Sequence, residues 1–344
     1  MLAFATQLGA HPGHGDEDEA PRDRAAVSEA VTTGSGSHQF RSVANWCQLP
    51  GGKKLGNTHG GIVVDRQGLI YFNTDTGRSI MIYSPDGKFL RSIGEEFVGI
   101  HGMTLNVEDG VEYLYAAHLG GKQIIKLTLD GKLVWKLQGP PSESGLYKNA
   151  NSYRPTAVAV GPDGDIYVAD GYGLSYVHHY DRERKYLGSF GGRGKEPGKF
   201  STCHGITLDT RGESPLLLIS DRENRRLQHF DLEGKFVSVA AEGLRRPCGV
   251  SILGDEVAVA ELEGRVTILD RKNHPVAFLG DNPDRKQWAK NPVPPSQWRE
   301  GIFTAPHSCC FDKDGNLYVM DWNSSGRISK LERLPLENLI GVLR

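Results

Sequence analysis

Apolar and polar residues alternate with a period of two in short runs from residue 57 onward, and each run stops at a turn rich in Asp and Gly. That alternation predicts half-buried antiparallel strands, and the Asp-Gly pairs predict the hairpins that join them. One unit returns six times: HGGIVVDRQGLIYFNTD from His59, HGMTLNVEDGVEYLYAAH from His101, RPTAVAVGPDGDIYVADGY from Arg154, CHGITLDTRGESPLLLISDREN from Cys203, RPCGVSILGDEVAVAELEG from Arg246 and APHSCCFDKDGNLYVMDW from Ala305. Stretches such as SIMIYSPDGKFLRSIG supply a further strand pair per unit. Four strands repeated at about 41 to 59 residues predict propeller blades, because a closed ring of blades protects the edges an open sheet would expose. The expected fold is all-β, a six-bladed β-propeller over residues 38–344 behind a flexible arm over residues 1–37. HQFRSVANWCQL, residues 38–49, has β character and precedes the first inner strand, so it is expected to close the ring as the outer strand of the last blade.

Composition agrees with this reading and narrows the partners. Gly at 43 residues against 18 Pro fits many tight turns. A net charge of −2 gives no basic footprint for nucleic acid or an anionic membrane. No apolar run approaches the roughly 18 to 20 residues of a membrane span, so the chain is expected to be soluble; a monomer is expected. The five cysteines are odd in number and form no CxxC pair, so they predict buried thiols and no disulfide framework. The arm, with DEDEAPRDR and TTGSGS, has no apolar periodicity, and its His11 and His14 in HPGH are not counted as a site. The opening MLAFATQLGA reads either as a trimmed signal-peptide remnant or as a start site, which leaves the compartment open, secreted and periplasmic locations included. Two polar, Pro-rich inserts, residues 139–153 and 280–301, are expected as loops on a face; such loops carry function or serve as linkers.

Aligning the copies on the small residue that opens each inner strand places His101, Thr156, His204, Cys248 and His307 at one position in blades two to six. Blades two, four and six therefore each direct a histidine at the channel axis. Three neutral imidazoles suit a transition metal and leave the fourth position of tetrahedral Zn²⁺ open, as in catalytic sites. Other divalent ions accept the same donors. His59, one place earlier in blade one, is a candidate fourth ligand or substrate contact.

The chain resembles NHL-repeat propellers and, from about residue 95 to 333, the peptidyl-α-hydroxyglycine α-amidating lyase, the lyase half of the peptide-amidating enzyme. His101 in GIHGMTL, His204 in STCHGITL and His307 in APHSCCF match the histidines that bind zinc in that family. Tyr172 in VADGYG and Arg222 in SDRENRRLQHF match its essential tyrosine and active-site arginine. The resemblance implies a small-molecule or peptide substrate and cleavage of a carbinolamide C–N bond to an amide and glyoxylate, with Tyr172 as general base and Arg222 orienting the substrate. Read without the resemblance, Tyr172 is a turn aromatic and Arg222 a rim arginine paired with Glu223 or Asp221, as in a non-catalytic propeller that binds protein or glycan. Two departures stand out. The family's first-blade arginine is replaced by Asn57, Thr58 and His59, so the substrate is free to differ, and the aspartate that serves its calcium is Ser308, so no calcium is expected. The family's copper monooxygenase domain has no counterpart in these 344 residues, so a separate hydroxylating enzyme is the expected partner.

Overall fold

The turns come first, because they set the strand registers. In Asp65-Arg66-Gln67-Gly68 the Asp65 carboxylate accepts the N–H groups of Gln67 and Leu69 at 2.9 and 2.8 Å, and Gly68 takes φ +85°. The last turn residue must enter the left-handed region, which glycine does without steric cost. Where the same turn recurs without glycine, Arg184 and Asn273 adopt φ of +71° and +64°.

The computed structural model describes residues 31–335. They form six antiparallel sheets in sequential order, each one blade. The inner strands are Thr58–Val64, Ile100–Glu108, Ala157–Val160, Cys203–Asp209, Pro247–Leu253 and Pro306–Phe311. Each packs against the next, and the last against the first, around a central channel. Six hydrophobic clusters hold the blades together, one at each junction. Between blades three and four, for example, Tyr167, Phe200 and Phe230 fill the space between the sheets.

His38–Val43 pairs with Arg327–Arg333 in the register Phe40↔Arg333 to Val43↔Lys330 and closes the ring as expected. Phe40 is fully buried in the cluster between blades five and six. Burial of such a ring contributes about 1.5–3 kcal/mol, so the closure is anchored by packing as well as by the ladder. One expectation is corrected here. Thr32–Ser35, assigned to the flexible arm, forms a fifth strand on the last blade through a tight turn at Gly36 and Ser37. The run TTGSGS supplies this strand and the turn, with Gly34 paired to Gln39 and Gly36 in the turn. Residues 1–30, with His11 and His14, lie outside the described residues, as do 336–344.

The topology decides where chemistry collects. In a four-stranded meander the start of the inner strand, the turn between the second and third strands and the link to the next blade all lie at one end. That end carries the histidines, Tyr172 and Arg222, and both inserts, which contain short 3-10 turns such as Ser142–Ser144 and Pro295–Gln297. At the same end a carboxylate finishes the second strand in four blades and accepts backbone N–H groups of the incoming segment: Asp170 from Arg154, Asp221 from Ser201, Glu261 from Arg245 and Asp321 from Ala305.

Candidate active site

Each axial histidine sits at a β-bulge. The register shifts between Ile100 and Met103, between Cys203 and Gly205, and between Pro306 and Ser308, which takes His101, His204 and His307 out of the ladder. A bulge re-aims the extra side chain, and here all three turn to the axis. Cys248 occupies the equivalent bulge in blade five. Blade one holds a longer irregularity between Thr58 and Ile62, which brings His59 to the same cluster although it lies one place earlier in sequence.

The three imidazoles are buried, with ring centroids 4.9 Å apart for His101 with His204 and with His307, and 4.6 Å for His204 with His307. His59 lies 4.8 and 4.9 Å from His101 and His307, and its Nδ1 is 3.5 Å from Asp75. Two sets of three donor atoms come within 4.8 Å of one another: His59, His101 and His307, and His204, Cys248 and His307. The predicted trio is thus in one cluster but divided between these sets, with His307 in both. The Tyr172 hydroxyl stands between the other two, 3.3 Å from His101 Nε2 and 3.1 Å from His204 Nε2.

Tautomers follow from the acceptors. His101 Nδ1 donates to Thr156 O at 2.6 Å and His307 Nδ1 to Gly60 O at 3.1 Å. Each therefore turns an unprotonated Nε2 inward, the arrangement in which imidazole binds metal. His307 Nε2 is buried with no hydrogen-bond partner. An orphaned nitrogen of this kind calls for a ligand, and a divalent cation fits it. Burial first, then neighbouring positive groups, holds all three histidines well below the usual histidine range, so they are neutral.

Tyr172 is held by the turn Asp170–Ser175. The Asp170 carboxylate accepts from Arg154 N and Leu174 N, both at 2.6 Å, and a Cβ on Gly173 would overlap that carboxylate. Arg222 Nη1 donates to the Tyr172 hydroxyl at 3.2 Å and its Nε to Glu223 at 2.9 Å. Asp221 pairs with Arg226 instead. Burial raises the Tyr172 phenol above its ordinary value, and Arg222 acts against that rise.

No protein-family model matches the chain. It is 27% identical over 222 residues to a probable peptidyl-alpha-hydroxyglycine alpha-amidating lyase of Caenorhabditis elegans, covering 62% of this chain and 59% of that one. Over 173 residues it is 29% identical to NHL repeat-containing protein 3 of Homo sapiens, 48% and 49% of the two chains. The chain is a six-bladed propeller with NHL-repeat and amidating-lyase relatives. It spans about half the length of these curated relatives. A solved streptogramin B lyase shares the fold at a TM-score of 0.55 and 15% identity, over 88% of this chain and 97% of that one.

The propeller brings further residues to the site that its sequence did not single out. The Arg154 guanidinium lies 5.9 Å from the Tyr172 ring centroid on the exposed side. Trp322 lies 6.1 Å from His59 and packs with Cys248, Leu262 and Ala305 as an apolar wall. Tyr147, from the insert at 139–153, donates to Asp170 at 2.5 Å and contacts His178 Nε2 at 2.8 Å, tying that insert to the turn that carries Tyr172. The repeat register offered a signal for Cys248, and the Arg-Pro pair that opens the third copy one for Arg154; no local pattern marked Tyr147. Behind the histidines the open channel holds about 680 Å³, and neither Tyr172 nor Arg222 lines it. The histidine cluster thus separates this space from the face that carries the tyrosine.

Proposed function

We propose that this propeller is a metal-dependent carbon–nitrogen lyase, with His101, His204 and His307 as ligands, Zn²⁺ as the ion, Tyr172 as the acid–base group, and Arg222 and His59 as substrate contacts. One observation carries the reading: a half-buried phenol within hydrogen-bond reach of two imidazole nitrogens and one guanidinium, beside a third imidazole whose Nε2 has no partner. A divalent cation held there supplies Lewis acidity, which makes a nearby hydroxyl more acidic. Tyr172, brought to phenolate by the positive charge of Arg222 and of the bound cation against the rise that burial imposes, would take the proton of the substrate's carbinol hydroxyl. As the carbonyl forms, the C–N bond breaks and its electron pair goes to nitrogen. Tyr172 then returns the proton to that nitrogen, so an amide and an aldehyde acid leave with no net oxidation. Arg222 favours the phenolate and orients the substrate, and the wall of Trp322 and Leu262 limits water.

The substrate is a peptidyl-α-hydroxyglycine or a related hydroxylated amide, made by a separate hydroxylating enzyme. The lyase names among the relatives support this class of chemistry. The test is metal content by elemental mass spectrometry on untagged protein, with glyoxylate release from a peptidyl-α-hydroxyglycine. About one zinc per chain, lost with activity in the His101/His204/His307 triple alanine variant, supports the proposal. A folded protein that takes up no zinc refutes it and leaves a binding scaffold.

A further inference from the structure

Five thiols are present, and one differs from the rest in what it faces. Cys203 and Cys309 are neighbours of ligand histidines in sequence, yet their sulfurs turn into the blade packing, 3.5 Å from Tyr176 O and from Ala258 O. Cys248 instead stands at the bulge of blade five, the position that blades two, four and six give to histidine. It is fully buried, and its Sγ lies with donor nitrogens of His204 and His307 inside a 4.8 Å set. Its thiol is 3.6 Å from Arg246 O, and the Arg222 side chain also faces it. The same set holds His307, whose Nε2 has no partner.

We propose that Cys248 is a thiolate donor to the metal centre, taking the fourth position beside His101, His204 and His307, so that a substrate hydroxyl would enter as a fifth ligand. The assignment rests on the metal reading above and deepens it. A mixed nitrogen and sulfur donor set selects an ion that accepts sulfur, which favours Zn²⁺ over magnesium, calcium or manganese. Binding replaces the S–H bond with a metal–sulfur bond and releases one proton to solvent, without change of oxidation state. Among Thr156, Cys248 and the histidines at the shared register position, Cys248 is thus part of the centre, whereas Thr156 serves through its carbonyl, which holds His101.

X-ray absorption at the zinc edge on the unmodified, zinc-loaded chain tests this without any variant. The expected result is a sulfur shell of about one atom at about 2.3 Å beside nitrogen scatterers. Cobalt loading gives a second readout: a near-ultraviolet thiolate-to-cobalt charge-transfer band, lost in Cys248→Ser with cobalt still bound and kept in Cys203→Ser. A stoichiometric metal with nitrogen and oxygen scatterers alone, or a band unchanged in Cys248→Ser, overturns the assignment and leaves the histidine site standing. Failure to bind either metal overturns both.

Discussion

Asp170→Ala tests how the site is held. The Asp170 side chain is fully buried and accepts from Arg154 N and Leu174 N at 2.6 Å and from the Tyr147 hydroxyl at 2.5 Å. Tyr147 keeps His178 as a partner after the change, at 2.8 Å. The two N–H groups keep none. A buried unsatisfied donor costs about 1–3 kcal/mol, so two give about 2–6 kcal/mol. Against this, burial raises the Asp170 carboxyl's pKa, a sign that the charge is itself costly there, and removing it returns part of that cost. The net expectation is a loss of about 2–4 kcal/mol. Urea unfolding at neutral pH, followed by tryptophan fluorescence, measures it as a lower midpoint with an unchanged slope. Asp170→Asn, which keeps one acceptor oxygen, should lose less than the alanine variant. Because the same turn presents Tyr172, glyoxylate release should fall in both variants while zinc content stays near that of the parent. A loss below about 1 kcal/mol in the alanine variant, the worth of an ordinary hydrogen bond, would refute the reasoning.

Tyr172→Phe removes the proposed acid–base group and keeps the ring, so kcat/KM should fall about 10²–10⁴-fold with metal content unchanged; a fall below tenfold in a glyoxylate assay would place the proton transfer elsewhere. Gly60→Ala drives a Cβ into the carbonyl oxygen of His101 at a residue with φ +127°, and should cost about 2–3 kcal/mol by denaturant unfolding while disturbing His59; an unchanged midpoint would contradict the strained geometry. Burial pushes the Asp209 carboxyl up, but hydrogen bonds from His229 and Arg211 outweigh it and hold the pKa well below the carboxylate range. The stability it adds is therefore full above the unfolded value of about 3.9 and lost as pH falls below it. Unfolding midpoints between about pH 2 and 7 should fall less steeply at the acid end in Asp209→Asn, and parallel curves would show that the ion pair contributes nothing.

Much of this protein is written locally. Alternation at period two, with Asp-x-x-Gly turns such as Asp65–Gly68 and Asp231–Gly234, gives blade number and strand order, because each hairpin is decided by residues a few places apart. The same register placed His101, His204 and His307 at the axis, since equivalent positions in successive blades face one channel. The strand Thr32–Ser35 escaped because the Gly- and Ser-rich run around it reads equally well as a mobile arm, and its partners, the edge of the last blade and the outer strand of blade five, are brought to it by the fold. Tertiary structure also decided which donors meet. His59 joins through an irregularity in its own strand, and Cys248 joins because blade five delivers it beside His204 and His307. Tyr147 reaches Asp170 from an insert with no periodic code. Periodicity specifies which way a strand's side chains point, but bulge geometry and the closing of the ring set the distances between side chains from different blades, and those distances make the site.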